Sequence, residues 1–386
     1  MKLEPTQSKF TLKFYHVLYV VSLILGAFSI YASYSLTGRL WQPLINVLIG
    51  FVGMIVFSHI NYRNLTRFAS LGFLAALVLL IVTLIVGRGG GGRSLELGAI
   101  SIQTFYIATF LCIFYMSAFL ASCLRKKDEL EKRDVVTILI FFTIIIGMIA
   151  LRNISTAILL TVTGLSVLFV AGVRFKYLFI YVMVMMVCGA GYIFLRPSHN
   201  DAKADETELS EKHSDRGETG FNRLTYWVTG KSDKQGYGMQ MTLAKTAIAR
   251  SVLPKGPGKG VIKESMPERE NDYVFAMLCE ELSIGIGGFI AILYFIIFYQ
   301  SLLISRKAKG NFVRFLSVGI GMLIVGQAFT HIGVNVGVLP STGQTLPFIS
   351  RGFTNLLVTC FAVGILINMG KNVAEKSDGT DEELSL

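Results

Sequence analysis

Long apolar runs alternate with short polar segments along most of this chain. Residues 68–87, for example, contain no charged side chain, and a helix of about 20 apolar residues crosses the hydrocarbon core of a bilayer. Runs of similar length predict ten transmembrane helices. They lie near residues 14–36, 43–60, 68–87, 104–122, 135–151, 155–173, 177–195, 284–304, 315–337 and 350–369. The pattern therefore predicts an all-α polytopic membrane protein.

One long polar stretch interrupts the apolar runs and divides the chain into four parts. These are residues 1–195 with transmembrane helices 1–7, a large loop at 196–283, residues 284–369 with helices 8–10, and a tail at 370–386. Within the loop, residues 198–219 are rich in Asp, Glu, Lys and Ser, whereas residues 221–281 mix aromatic, Met and Gly residues. The second part is expected to form short helices and to carry the function, because lipid does not host solvated chemistry.

Basic residues are distributed unevenly between the two sides of the membrane. An even number of crossings puts both termini on one side. Eighteen Lys and Arg residues lie in the segments on that side, against five in the short loops of the other. Because positively charged short loops stay in the cytoplasm, both termini are predicted to be cytoplasmic and the 196–283 loop extracytoplasmic.

Composition agrees with a protein that resides in lipid. Hydrophobic residues make up 53% of the 386 residues, and the mean hydropathy is +0.59, which exceeds what one water-soluble core needs. Much of the net charge of +11 lies in short loops, so no nucleic-acid partner is expected. The five cysteines match no disulfide or metal-ligand spacing. The sequence thus indicates no metal site and no cofactor, and it carries no information on divalent-metal dependence.

An acid-rich segment, residues 267–281, stands where the polar loop returns to the membrane. On a continuous helix, Asp272 would precede Glu280 and Glu281 by two turns, so that a line of acids runs into the bundle. A carboxylate partly withdrawn from water gains proton affinity, which suits a general base. Alternatively, these acids solvate a helix end, where negative charge near the N-terminus is favourable in any case. Both interpretations fit the residues alone.

Two further segments each allow two interpretations. Residues 331–350 contain two prolines between apolar runs, and helices broken at membrane depth either line a polar cavity or form a simple hairpin. Residues 255–260 read Lys-Gly-Pro-Gly-Lys-Gly. This run can hold a pyrophosphate through backbone amides and charge, or it can form a turn.

In order and spacing, these segments resemble the SEDS family (shape, elongation, division and sporulation), the polytopic glycosyltransferases exemplified by FtsW and RodA. The resemblance rests on residues 240–260, on the Pro-Glu and Asp-Tyr-Val-Phe-Ala strings of 267–276 followed by Glu-Glu, and on residues 335–350. The ten-helix layout with a long outer loop after the seventh helix also fits. The Gly-Pro-Gly turn and the modest length favour the FtsW branch over the RodA branch.

The resemblance implies polymerisation of lipid II into peptidoglycan glycan strands, in the bacterial inner membrane and during cell division. Asp272 matches the family's essential outer-loop aspartate, the proposed catalytic base. The implied partners are lipid II, a class B penicillin-binding protein and other divisome membrane proteins. Nine residues are expected to bind substrate, the first three at its pyrophosphate: Arg223, Lys255, Lys259, Gln240, Glu268, Glu281, Asn335, Thr345 and Ser350.

Three segments depart from the family pattern. An acid and a lysine that are usual in the family are absent at residues 103–109, and the family strings are altered at 152–157 and 350–354. Roles that depend on those charges therefore do not carry over. Two other functions stay open. One is a transporter that moves lipid-linked precursor across the membrane, which broken helices and cavity charges would also serve. The other is a non-catalytic divisome scaffold.

Overall fold

The computed structural model describes residues 15–86, 95–97, 100–127, 129–194, 227 and 237–383. Within these residues the chain forms thirteen α-helices and one two-stranded antiparallel hairpin. The helices are α1 (His16–Thr37), α2 (Trp41–Phe57), α3 (Tyr62–Arg67), α4 (Ala69–Val86), α5 (Thr104–Lys126), α6 (Lys132–Ala150), α7 (Ile154–Val170), α8 (Phe175–Phe194), α9 (Tyr237–Ala249), α10 (Val274–Leu282), α11 (Ile284–Lys307), α12 (Asn311–Asn335) and α13 (Phe353–Glu383). The strands are β1 (Leu95–Leu97) and β2 (Ile100–Ile102).

Ten of these helices correspond to the ten predicted membrane helices: α1, α2, α4, α5, α6, α7, α8, α11, α12 and α13. Seven are long and apolar enough to cross a membrane, and α2, α7 and residues 175–187 of α8 are shorter apolar helices. The predicted all-α polytopic class is confirmed. The clearest difference is at the C-terminal end, where α13 continues to Glu383. Most of the predicted tail therefore extends the last helix. The short helices expected within residues 221–281 are α9 and most of α10.

The two ends of the described chain lie at one end of the bundle. A Cβ atom on Gly370 would stand 3.0 Å from the Cβ of Tyr15. Near the other end of α1, Ser35 Oγ accepts a hydrogen bond from the Gly258 amide at 3.0 Å. Because α1 has 22 residues, these two places are separated by about 30 Å. We call the end that contains Ser35 the distal end. This arrangement agrees with an even number of crossings, while the cytoplasmic assignment stays a prediction.

Helix α12 lies at the centre of the bundle, where it packs against α5, α7 and α11. In its most apolar stretch 78% of the residues are buried, compared with 28% for α4. Glycines let its neighbours approach closely. A Cβ on Gly319 would collide with Ile113 of α5, and one on Gly321 would collide with Ser301 of α11. Small residues of this kind are typical of helix contacts inside membranes.

The closest glycine contact with main chain joins α13 to α2. A Cβ on Gly364 would stand 2.5 Å from the carbonyl oxygen of Met54 and 3.0 Å from Phe57 Cβ. We expect Gly364→Ala to lower the free energy of unfolding by about 1–3 kcal/mol, because the two helices must separate. Thermal unfolding of the purified protein in detergent measures this. The control is Gly147→Ala in α6, where nothing lies within 4 Å of the added methyl group. Equal stability of the two variants would contradict the prediction.

Candidate functional site

Asp272 lies in a turn immediately before α10 at the distal end. Because α10 begins at Val274, Asp272 is not on that helix, and the expected line of acids along one continuous helix is wrong. Asp272 is partly exposed, whereas residues 273–281 are all buried. Its amide donates to the Glu268 carbonyl oxygen at 3.0 Å. Asp272 therefore lies in a hydrogen-bonded turn at the edge of the buried protein.

Asn335, the last residue of α12, holds this turn from the other side. Its Nδ2 donates to the carbonyl oxygens of Asp272 at 3.0 Å and of His331 at 2.8 Å. Its Oδ1 accepts from the Ala276 amide at 3.0 Å. The Asn335 side chain is fully buried. One amide group thus fixes both the turn that carries Asp272 and the first turn of α10.

Asn335→Leu is expected to destabilise the protein by at least about 1–3 kcal/mol. The leucine leaves a buried Ala276 amide and the Asp272 carbonyl without their partner, and each unpaired buried group has a cost of this order. Thermal unfolding in detergent measures the loss. The matched control is Asn372→Leu near the chain ends. Among the described residues, Asn372 Nδ2 bonds to Asn368 of its own helix, at 2.9 Å from the carbonyl oxygen. A control variant as unstable as Asn335→Leu would show that the clamp has no special role.

The segment 341–352 is hydrogen-bonded to the Asp272 turn. Ser350 Oγ donates to the Asn271 carbonyl oxygen at 2.8 Å and accepts from the Leu346 amide at 2.7 Å. The Arg351 amide donates to the Glu270 carbonyl oxygen at 3.0 Å, and the side chains of Arg351 and Glu270 form an ion pair at 2.8 Å. The turn is therefore tied to this segment at two consecutive residues.

A buried polar network lies deeper in the bundle, around Thr345. Thr345 Oγ1 is 2.8 Å from Tyr106 Oη, 2.9 Å from Asn355 Nδ2 and 3.3 Å from Gln327 Nε2. A small neighbouring cavity lies between α5, α7, α12 and α13. Its polar lining comprises Tyr106, Thr109, Thr156, Gln327, Asn355 and Thr359. Thr345 of segment 331–350 bonds to Tyr106, Asn355 and Gln327 of this lining, whereas no residue of the segment lines the cavity itself.

The glycine-rich loop 255–260 binds groups of the protein itself. The amides of Lys255 and Gly256 donate to the Glu281 carbonyl oxygen at 2.9 and 3.0 Å. Lys255 Nζ lies 2.6 Å from Glu280 Oε1, and this carboxylate also accepts from the amides of Val261 and Ile262 at 3.1 and 3.3 Å. The carboxylate of Glu280 thus occupies the anion site that this run can form. The geometry favours the turn over a pyrophosphate cradle.

Glu281 connects α10 to α1. Its Oε2 accepts hydrogen bonds from the hydroxyl of Ser35 and from that of Tyr31, the latter at 3.3 Å. Only 1% of Glu281 is exposed. Since Ser35 also accepts from Gly258, α1, α10 and the glycine-rich loop are joined through one hydroxyl group.

The cysteines take no part in this arrangement. Cys279 of α10 is buried, which raises the pKa of its thiol to about 12 and keeps it protonated. The four cysteines whose side chains the structure describes, Cys112, Cys123, Cys279 and Cys360, are free thiols. In the described part of the chain, no three His, Cys, Asp or Glu side chains are grouped so that they could hold a metal ion.

An open groove of about 530 Å³ lies beside the Asp272 turn. It is bounded by the end of α1, the start of α2 and residues 349–356, and it reaches the turn at Glu270. Two arginines, Arg39 and Arg351, line it together with Gln42 and Asn46. The arginine side chains are exposed. The distal end therefore combines a carboxylate with a cationic groove, although Asp272 itself does not line that groove.

Comparison with known families adds to this geometry. The model of the FtsW/RodA/SpoVE family, described as cell cycle proteins, matches residues 9–375. The chain belongs to this family. A probable peptidoglycan glycosyltransferase FtsW of Coxiella burnetii is 29% identical over 341 residues, which cover 85% of each chain. Stage V sporulation protein E of Bacillus subtilis is 25% identical over 359 residues, covering 90% of this chain and 92% of the relative.

Solved structures share the fold of this FtsW/RodA/SpoVE member. A chain from a peptidoglycan synthase complex that coordinates polymerization and crosslinking has a TM-score of 0.74 at 19% identity, covering 92% of this chain and 97% of that one. The rod shape determining protein RodA of Thermus thermophilus has a TM-score of 0.65 at 16% identity, covering 92% and 96%. At these identities the likeness shows the fold alone.

The FtsW/RodA/SpoVE motif residues separate into groups in the structure. Asn335 and Ser350 both bond to the Asp272 turn. Lys255 forms an ion pair with Glu280, and its amide bonds to the carbonyl oxygen of Glu281. Thr345 lies deeper in the bundle. The remaining predicted substrate-binding residues are distributed as follows: Glu268 is exposed next to the turn with a φ of 54°, Lys259 is exposed on the glycine-rich loop, Gln240 is half-buried on α9, and Arg223 lies outside the described residues. The side chains of Asn335, Ser350, Thr345, Lys255 and Glu281 all bond to protein groups.

Sequence reasoning missed the groove residues of this family member. Arg39 and Arg351 are counted among the five basic residues of the opposite short loops, and Arg351 also belongs to the altered 350–354 string. Gln42 precedes the apolar run 43–60, and Asn46 lies near its start. The available signal was the position of both arginines on the side of the membrane opposite to the termini, where basic residues are few. A cation on that side calls for a reason other than topology.

Proposed function

We propose that this chain is a peptidoglycan glycosyltransferase that polymerises lipid II into glycan strands, with Asp272 as the general base. The carrying observation is that Asp272, a partly exposed residue, lies on a turn that Asn335 clamps. The turn lies beside a groove lined by Arg39 and Arg351. Relatives named as probable peptidoglycan glycosyltransferases, aligned over most of the chain, support the proposal.

The proposed step needs a base because a sugar hydroxyl is a poor nucleophile while it keeps its proton. The acceptor GlcNAc oxygen bonds to the anomeric carbon of the donor MurNAc, and the bond between that carbon and the lipid pyrophosphate breaks. The hydroxyl proton passes to the Asp272 carboxylate. The electron pair of the broken bond leaves with the pyrophosphate, and the configuration at the anomeric carbon inverts.

The groove arginines are the best candidates to hold the pyrophosphate. Guanidinium groups bind phosphate oxygens in pairs, and both Arg39 and Arg351 are exposed on the groove. Lys255 is paired with the fully buried Glu280, whereas the ion pair of Arg351 with Glu270 is partly exposed to solvent. Lys259 of the glycine-rich loop is exposed and stays a candidate for phosphate contact. This assignment replaces most of the pyrophosphate role that the glycine-rich loop was expected to have.

Arg351→Gln is expected to raise the KM for lipid II about tenfold with a smaller change in kcat, because a charge-assisted hydrogen bond contributes about 1.5–3 kcal/mol. Arg351 also pairs with Glu270, but its side chain is 43% exposed. Loss of this ion pair therefore costs at most about 1 kcal/mol of stability. Steady-state strand formation at varied lipid II concentration measures the effect. The control is Arg174→Gln, an exposed arginine between α7 and α8. An unchanged KM for Arg351→Gln would remove this residue from the substrate site.

The proposed location is the bacterial inner membrane, with both termini cytoplasmic and Asp272 on the extracytoplasmic side. The uneven distribution of basic residues supports this orientation. The proposed partner is a class B penicillin-binding protein, because one structural neighbour belongs to a complex that coordinates polymerization and crosslinking. The FtsW names of several relatives favour a role in cell division alongside other divisome membrane proteins.

Purified protein in liposomes with labelled lipid II tests the function. Glycan strands that a muramidase digests support the enzyme, and their absence in the presence of an active partner contradicts it. A transporter is the second candidate, and the cavity beside Thr345, with Gln327 and Asn355 in its lining, is the feature that favours it. Movement of labelled lipid II across the bilayer that persists after loss of Asp272, without strand formation, would favour transport. Full complementation of cells by the same variant would favour a scaffold.

A further inference from the structure

Three apolar side chains at the distal end extend away from the protein. Val252 and Leu253 are each 75% exposed, and Val261 is 64% exposed. Pro254 between them is also exposed. We call these four residues the loop tip. Aliphatic side chains that are this exposed and are grouped on one loop mark a surface that contacts something other than water.

The loop tip is attached at the boundary of a membrane-spanning helix. The carbonyl oxygen of Ser251 accepts a hydrogen bond at 2.8 Å from the amide of Ile284, the first residue of α11. Helix α11 is long and apolar enough to span the membrane. Its exposed apolar face begins at Ile284 and continues through Phe289, Ile292 and Phe295. The loop tip therefore adjoins the start of a helix face whose remaining length is suited to contact lipid.

The main chain and the charges around the tip are compatible with lipid contact. Two amide groups at the tip are already bonded within the protein. The Lys255 amide donates to the Glu281 carbonyl oxygen at 2.9 Å, and the Val261 amide donates to Glu280 Oε1 at 3.1 Å. These groups would not enter lipid unpaired. Arg250 and Lys259 flank the tip and are exposed. Cationic side chains next to buried aliphatic groups lie at the phosphate level of a bilayer.

We propose that the loop tip inserts into the bilayer leaflet at the distal end, with Arg250 and Lys259 at the phospholipid phosphates. The occupant of this surface is lipid, because the tip adjoins the apolar face of α11 and its flanking charges are positive. The tip anchors the loop that cradles Glu280, and it sets the depth of the segment leading to Asp272. The proposal is independent of the catalytic assignment and of which leaflet lies outside the cell.

Tryptophan fluorescence in nanodiscs tests the insertion. Both native tryptophans, Trp41 and Trp227, are first replaced with phenylalanine, and Leu253→Trp is then added. In phosphatidylglycerol nanodiscs we expect blue-shifted emission that loses most of its intensity when the lipid carries bromine near the start of its acyl chains. Aqueous iodide should quench it little. The matched control is Glu264→Trp at an exposed charged position of the same loop, expected to emit at long wavelength and to be quenched by iodide.

The purified chain alone is sufficient for this measurement. If Leu253→Trp behaves as the Glu264→Trp control does, with strong iodide quenching and no effect of brominated lipid, the tip lies in water and the proposal is overturned. A protein partner would then be the better occupant. Should Leu253→Trp fail to give a single size-exclusion peak, Val252→Trp replaces it with the same expected and overturning results. Activity plays no part in the readout, so the result is separate from the proposed function.

Discussion

Asp272→Asn is expected to lower the rate of glycan strand formation by about 10²–10⁴-fold, the usual contribution of a positioned general base. Asparagine keeps the size of the side chain but cannot accept the hydroxyl proton. The main-chain bonds of Asp272 to Glu268 and Asn335 are unaffected, so the protein should fold normally. Purified variant and parent protein are compared with labelled lipid II at equal concentration, with strands separated on a gel.

The matched control is Glu264→Gln, which removes an exposed acid from the same loop and is expected to leave the rate unchanged. Equal thermal unfolding of the three proteins excludes misfolding as the cause. Strand formation by Asp272→Asn at the parental rate would remove Asp272 as the base. A loss of activity in both variants would instead point to the overall charge of the loop.

Lys255→Met is expected to destabilise the protein by about 3 kcal/mol. Glu280 is 0% exposed at its side chain and Lys255 is 25% exposed, with 2.6 Å between Nζ and Oε1. Removing one partner of a buried ion pair leaves the other charge uncompensated, which costs about 3–5 kcal/mol when both are buried. The partial exposure of Lys255 puts the expected loss at the lower end. Thermal unfolding in detergent, at constant protein and detergent concentration, measures it.

A double-mutant cycle separates the ion pair from general damage to the loop. Lys255→Met combined with Glu280→Gln should be more stable than the sum of the single effects predicts, because the uncompensated charge is gone. Lys259→Met serves as the control, since Lys259 is exposed two glycines and a proline further along the same loop. Strictly additive single effects would contradict a direct pair. A large loss of stability in the Lys259 variant would show that the loop tolerates no lysine replacement.

The sequence by itself determined the membrane fold and the positions of the family motifs. Each spanning helix must be apolar over about 20 consecutive residues, and this property is local, so runs such as residues 68–87 could be identified without contacts. Asp272 and the order of motifs around it were also evident from the sequence, through the family resemblance. The expected helix before Glu280 was wrong because a turn, held by the distant side chain of Asn335, replaces its first part.

Only the tertiary structure decided what each motif residue touches. Lys255 bonds to Glu280, 25 positions away. The lysine predicted to contact a pyrophosphate therefore pairs with a carboxylate of the protein itself. Arg351 pairs with Glu270, 81 positions away, and borders a groove with Arg39 from the turn between α1 and α2. Periodicity and spacing report the environment of neighbouring residues. The partners of a charge depend on how helices pack, and packing joins positions that no local pattern relates.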